Sequence, residues 1–216
     1  MHFEILVEGQ VELTTLSILM EQILGEYNNP HTWKIHKHRG IGKLPDNPTM
    51  PPNKKDNSLL HNLPSKLRAY GKEGRDNLVV VTLVDLDNRN CIHFKQELIR
   101  LLQYCSPKPN ALFRIAIEEI EAWFLGDLPA LKSAYPNAKQ AILDKYTQDA
   151  QCCTWEALAE AIYPGGLKAL EQYGKRSIKI LSQKVEWAKK IAPKMNVENN
   201  LSPSFCCFRD GLRNKF

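Results

Sequence analysis

Leu78-Val79-Val80-Val81-Thr82-Leu83-Val84-Asp85-Leu86-Asp87 is the stretch that decides the fold. Residues 78–84 are apolar or β-branched without interruption, and side chains of this kind favour the pleated, half-rigid backbone of a strand. An unbroken run, rather than an alternating one, is what a strand covered on both faces of a parallel sheet requires. Parallel strands need long crossovers, so helical patterns should stand between strands. Upstream, residues 2–7 (HFEILV) read as a short strand, and residues 11–27 repeat apolar side chains at Leu13, Leu16, Met20, Ile23 and Leu24, a helical spacing. Residues 32–38 read as a second strand, residues 40–57 as a long Gly, Pro and Asn-rich loop, and residues 58–71 as a helix. Downstream, residues 91–104 have helical periodicity and residues 111–117 (ALFRIAI) resemble a strand again. From Glu118 onward the pattern is helical, broken at Pro129, Pro136, Pro164, Pro193 and Pro203. The expectation is an α/β fold: a mostly parallel sheet flanked by helices over residues 1–128, with a helical C-terminal extension over residues 129–216 packed on it.

The 216 residues are 43% hydrophobic and 25% charged, an ordinary globular balance. No apolar run is long enough to span a bilayer and residues 1–9 lack a signal-peptide pattern, so a cytoplasmic location is expected. Six cysteines without a C-x-x-C pair are expected to be reduced thiols. Residues 31–75 hold ten Lys/Arg against three Asp/Glu, and residues 165–216 eleven against four. With a whole-chain net charge of +5, the remainder is acidic. An acidic body between basic segments suits a polyanion held beside an anionic centre.

Each expected strand ends in acid: Glu8 after the first, Asp85 and Asp87 after the third, and Glu118, Glu119 and Glu121 after the last. In a parallel sheet these ends share the carboxyl edge, where ligands bind. Should strand geometry persist through Leu86, Asp85 and Asp87 face the same side and Leu86 the core. Glu12, four residues after Glu8, is expected to lean toward the same edge. Two carboxylates ~5 Å apart at an effective dielectric of ~20 repel by ~3 kcal/mol, so such a cluster calls for protonation or cations. All-oxygen ligands favour Mg²⁺ or Mn²⁺ over zinc. Each acid has a plainer explanation as a helix cap or a solvated first turn.

Val7-Glu8-Gly9-Gln10-Val11-Glu12 followed by Val84-Asp85-Leu86-Asp87 resembles the TOPRIM (topoisomerase-primase) domain. Glu119-Ile120-Glu121-Ala122-Trp123 and Asn200-Leu201-Ser202-Pro203-Ser204-Phe205 resemble, over nearly the whole chain, the small bacterial family known as domain of unknown function 4276. The resemblance implies a TOPRIM-like core in which Glu8, Asp85 and Asp87 take the catalytic metal-site places, with Glu119 and Glu121 as additional ligands. It further implies a Mg²⁺- or Mn²⁺-dependent nuclease, in antiphage defence, beside a separate ABC- or SMC-like ATPase. No nucleophilic-tyrosine domain or zinc module is evident, which disfavours strand passage and primer synthesis.

On that reading Lys34, Lys37, Arg39 and Lys43 grip phosphates flanking the scissile bond, and Glu8 or Glu12 assists proton transfer. His36 and His38 are expected at the surface, and Gly40-Ile41-Gly42-Lys43 lacks Walker spacing. Ile178, Leu181, Val185, Ala188 and Ile191 read as the buried stripe of a C-terminal helix. Lys175 and Lys184 are candidate supporting charges at the centre, a solvated or partner-facing place being the plainer expectation. Ser202 is expected to cap a helix before Pro203, and Phe205 to anchor packing. A non-catalytic TOPRIM-like module recognising nucleic acid or a protein partner is the alternative. A small-ester phosphohydrolase is a third class, without a D-x-D-x-T motif to support it.

Overall fold

The computed structural model describes residues 1–149, 152–174 and 177–216. Four parallel strands form one sheet: β1 (His2–Val7), β2 (Thr32–Lys37), β3 (Leu78–Asp85) and β4 (Ala111–Ala116), in the order β2-β1-β3-β4. Ile5 lies opposite Ile35 on one side and Val81 on the other, and Val84 lies opposite Ile115. The central place of β3 explains its composition, because seven of its eight residues are buried and both faces are covered.

The crossovers are helical. Helix α1 (Gln10–Leu24) links β1 to β2, α2 (Leu59–Glu73) precedes β3, and α3 (Cys91–Arg100) precedes β4. One core lies under α2 and α3, with Leu6, Val80, Val84 and Phe113 packed against Leu63, Leu67 and Phe94. On the other face Phe3, Ile5, Val79 and Val81 pack with α1 and with the C-terminal helices, so the sheet and residues 129–216 share a continuous core. Those helices begin with α4 (Glu121–Leu125), α5 (Leu128–Ala134) and α6 (Gln140–Leu143). They continue with α7 (Thr154–Ile162), α8 (Gly166–Glu171), α9 (Ile178–Ile191) and α10 (Pro203–Arg213).

Residues 38–58 carry no helix or strand, yet the loop is tied down. His38 N–H donates to the Val7 carbonyl at 3.1 Å and Gly40 N–H to the Glu8 carbonyl at 3.0 Å. Gly42 has φ +67°, and a Cβ there would fall 1.9 Å from Ser58 Oγ, so this turn accepts only glycine without rearrangement.

Two segments singled out in the sequence meet. Trp123 stacks edge-on to Phe205 at 5.2 Å, its indole N–H donates to Ser204 Oγ at 3.1 Å, and Asn200 Nδ2 donates to the Trp123 carbonyl at 2.8 Å. Ser202 caps α10 by accepting from Phe205 N–H. Thus the N-x-S-P-S-F segment is a clamp on α4, and α4 follows directly on the acidic end of β4.

The buried face of α9 differs from the expected stripe. Ile178 and Leu181 are exposed, at 83% and 48%, while Ile180, Trp187, Ala188 and Ile191 are buried. That rotation places Lys184 on the inward face, one turn after Ile180. No helix among the described residues is long and apolar enough to cross a membrane.

Candidate metal centre

Three chain segments bring carboxylates to the carboxyl edge of the sheet. Glu8 leaves β1 directly after the buried Val7, and its Oε1 accepts the Asp85 backbone N–H at 2.8 Å. That bond ties the ends of neighbouring strands. Asp85 closes β3, with Oδ1 buried and without a hydrogen-bond partner. Glu12, in the first turn of α1, is buried, and its Oε2 accepts the Gly9 N–H at 2.8 Å. It therefore closes the helix N-terminus while facing the cluster.

Glu119 and Glu121 arrive from the turn after β4 and meet Lys184. The ammonium Nζ lies 2.7 Å from Glu119 Oε2 and 3.3 Å from Glu121 Oε1, the latter an ion pair without hydrogen-bond alignment. Glu121 is 1% exposed. Beneath the ammonium, 5.7 Å away, lies the Trp155 ring.

The electrostatics follow from five buried or half-buried acids around one lysine. Burial pushes the Glu8 carboxyl up to about 8, with Glu12 and Asp87 adding to the rise. Burial, then the adjacent Glu121, pushes Glu119 up to about 7. Asp85 is raised well above its ordinary value, by burial first and then by Glu8, Glu12, Glu119 and Glu121. Glu12 is also raised by burial. Burial opposes the charge of Lys184, yet Glu121 and Glu119 outweigh it and hold the ammonium protonated.

These residues fit a hard divalent cation. The donors are all carboxylate oxygens, they disfavour one another's ionisation, and Asp85 Oδ1 is orphaned. Among the described residues no group of three or more His, Cys, Asp or Glu side chains is placed so that it could hold a metal ion.

Two strand-end acids stand elsewhere than expected. Asp87 has φ +48°, because its N–H turns to the Glu118 carbonyl at 3.1 Å. Strand geometry ends at Asp85, so the two aspartates do not share a face. Asp87 is 51% exposed at the rim, 3.8 Å from Arg89, near enough to raise Glu8. Glu118, at φ +61°, points to α7 instead, accepting from the N–H groups of Cys153 and Thr154 and from the Thr154 hydroxyl. It is a cap supplied from a distant segment.

Of the basic residues, Lys37 and Arg39 line a cavity of about 660 Å³ together with Glu8, Glu12, Gln10 and Lys184. Lys37 Nζ is held by Gln10 Oε1 at 2.5 Å. Lys34 and Lys43 are exposed and do not line it. Lys175 lies outside the described residues. His36 is half-buried, bound through Nε2 to Glu4, whose other oxygen meets His2 at 3.1 Å, and Tyr70 of α2 donates to Glu4 at 3.3 Å. His36 thus belongs to a buried polar cluster on the α2 side of the sheet. Arg89 is a rim residue that the strand-end pattern does not single out; its guanidinium lies over the Phe94 ring, 4.5 Å from the centroid. The Asp-x-Arg spacing after β3 was the available signal.

No curated protein and no solved structure matches the chain. The family described as "Domain of unknown function (DUF4276)" matches residues 7–213, and the chain, with its two motif segments clamped together behind the acidic edge, belongs to that family.

Proposed function

We propose that this protein is a Mg²⁺- or Mn²⁺-dependent endonuclease of TOPRIM-like type, hydrolysing phosphodiester bonds in nucleic acid. The observation that carries the reading is the orphaned, buried Asp85 Oδ1 beside Glu8, at the carboxyl edge of a parallel sheet, with Glu8 itself lining a cavity that Glu12, Lys37, Arg39 and Lys184 share. Glu8 and Asp85 would hold the ion. When bound, it supplies Lewis-acid polarisation of a phosphate oxygen.

The remaining roles belong to the chain. Lys37 and Arg39 bind the phosphates either side of the scissile bond. Glu12 accepts the Gly9 N–H through one oxygen and takes a proton from the attacking water, its raised pKa making it a stronger base for that task. Lys184 fixes Glu119 and Glu121 so that they do not repel the polyanion. Within this reading the chain acts in antiphage defence beside a separate ATPase, the arrangement that the family resemblance implies.

The direct test is incubation of purified protein with single- and double-stranded DNA and RNA, with Mg²⁺, Mn²⁺ or EDTA. Cleavage that appears with either metal and stops with EDTA is expected; intact substrates throughout sink the proposal. Lys37→Ala and Arg39→Ala are each expected to weaken nucleic-acid binding and to reduce the slope of log affinity against log salt by about one. An unchanged salt slope in the double variant would place the polyanion elsewhere.

A further inference from the structure

We propose that Lys184 stands in for a second cation, so that the acidic centre takes a single divalent ion, on Glu8 and Asp85. The inference rests on the metal-dependent reading above and deepens it by fixing the number of ions.

Five acids at one edge offer enough oxygens for two ions. Glu119 and Glu121, however, already share a cation: Lys184 Nζ at 2.7 and 3.3 Å. An ion bound to those two oxygens would sit about 2.0–2.1 Å from each, in the volume the ammonium fills. Glu121 Oε1 lies buried and makes no hydrogen bond, so it needs the positive charge in front of it. Glu12 is committed through Oε2 to Gly9 N–H. What stays open is Asp85 Oδ1, without a partner, and Glu8, of which one oxygen meets the Asp85 N–H. Two carboxylates plus waters suffice for one Mg²⁺.

Lys184 is not a surface side chain that happens to lean inward. It shares the inner face of α9 with Ile180, Trp187, Ala188 and Ile191, all buried, and its side chain is 16% exposed. Burial of Trp187, Ala188 and Ile191 fixes this face of α9 against the core, so the stem of Lys184 starts on the inward side and its ammonium meets Glu119 and Glu121.

The test is Mn²⁺ titration by calorimetry, with the bound ion counted by electron paramagnetic resonance, on the wild type, Lys184→Met and Lys184→Met/Glu119→Gln. Tryptophan fluorescence, sensitive to Trp155 beneath the ammonium, confirms folding. One ion in the wild type, two in Lys184→Met and one again in the double variant are expected. Two ions in the wild type overturn the inference while leaving the metal reading standing, whether or not the variants fold. One ion in a folded Lys184→Met overturns it as well. No saturable Mn²⁺ in the wild type removes the metal reading itself, and the inference with it.

Discussion

Asp85→Asn is expected to lower metal-dependent cleavage by ~10³-fold or more while raising the melting temperature of the metal-free protein at pH 8. The first half follows from the share of transition-state stabilisation that a bound ion provides, several kcal/mol, at ~1.4 kcal/mol per tenfold in rate. The second half follows from burial. Asp85 carries an oxygen without a hydrogen-bond partner and is surrounded by Glu8, Glu12, Glu119 and Glu121, all of which oppose its charge. Asparagine keeps the shape and cannot ionise, so the repulsion that an ionised Asp85 meets from its four acidic neighbours is absent in the variant. Active sites commonly hold such destabilised groups for the sake of the chemistry. Paired cleavage rates and melting curves decide it. A variant within tenfold of wild-type activity removes Asp85 from the reacting centre, and a lowered melting temperature shows that its carboxylate serves the fold instead.

The strands were legible because burial on both faces leaves an unbroken apolar run, and β3 is such a run from Leu78 to Val84. Glu8 and Asp85 were legible because strand ends in a parallel sheet share one edge. What followed those ends was not. Asp87 turns out at the rim because its N–H finds the Glu118 carbonyl, a pairing between segments 31 residues apart that no local pattern announces. Glu118 and Glu119 are neighbours of one chemical type, yet the first caps α7 and the second holds Lys184. Only the placement of α7 and α9 separates them.

Lys184 shows the same limit in reverse. The inner face of α9 runs through residues 180, 184, 187, 188 and 191, a clean helical spacing with a lysine where an apolar residue is expected. Apolarity alone favours the stripe through Ile178 and Leu181, both of which face solvent. A buried charge becomes readable only with its partners, and these lie 65 and 63 residues away in Glu119 and Glu121.

The metal-free protein is expected to lose stability as pH rises from 6.5 to 8.5, and Mg²⁺ or Mn²⁺ to restore it most strongly at the alkaline end. Glu8 is raised from 4.5 to about 8 and Glu119 to about 7, each by burial first. A carboxyl whose folded pKa exceeds its unfolded one binds its proton more tightly when folded. Its contribution is complete below about 4.5 and is withdrawn as pH climbs through about 7 and 8. Lys184 does not reverse the trend, since its raised pKa keeps the ammonium charged across this window. His31 and His38, lowered chiefly by burial, act in the opposite direction, but their effect ends near the unfolded histidine value of about 6.5. Glu4, held low by His36 and His2 against its burial, matters only at lower pH. The divalent ion binds the ionised carboxylates and stabilises the fold by mass action, so its gain in melting temperature should grow from pH 6.5 to 8.5. Glu8→Gln isolates the cause: it should flatten the metal-free slope and remove most of the metal-induced gain together. A slope as steep in Glu8→Gln as in the wild type, or a metal gain that ignores pH, would mean that the carboxylates at this edge are not the groups being forced to ionise.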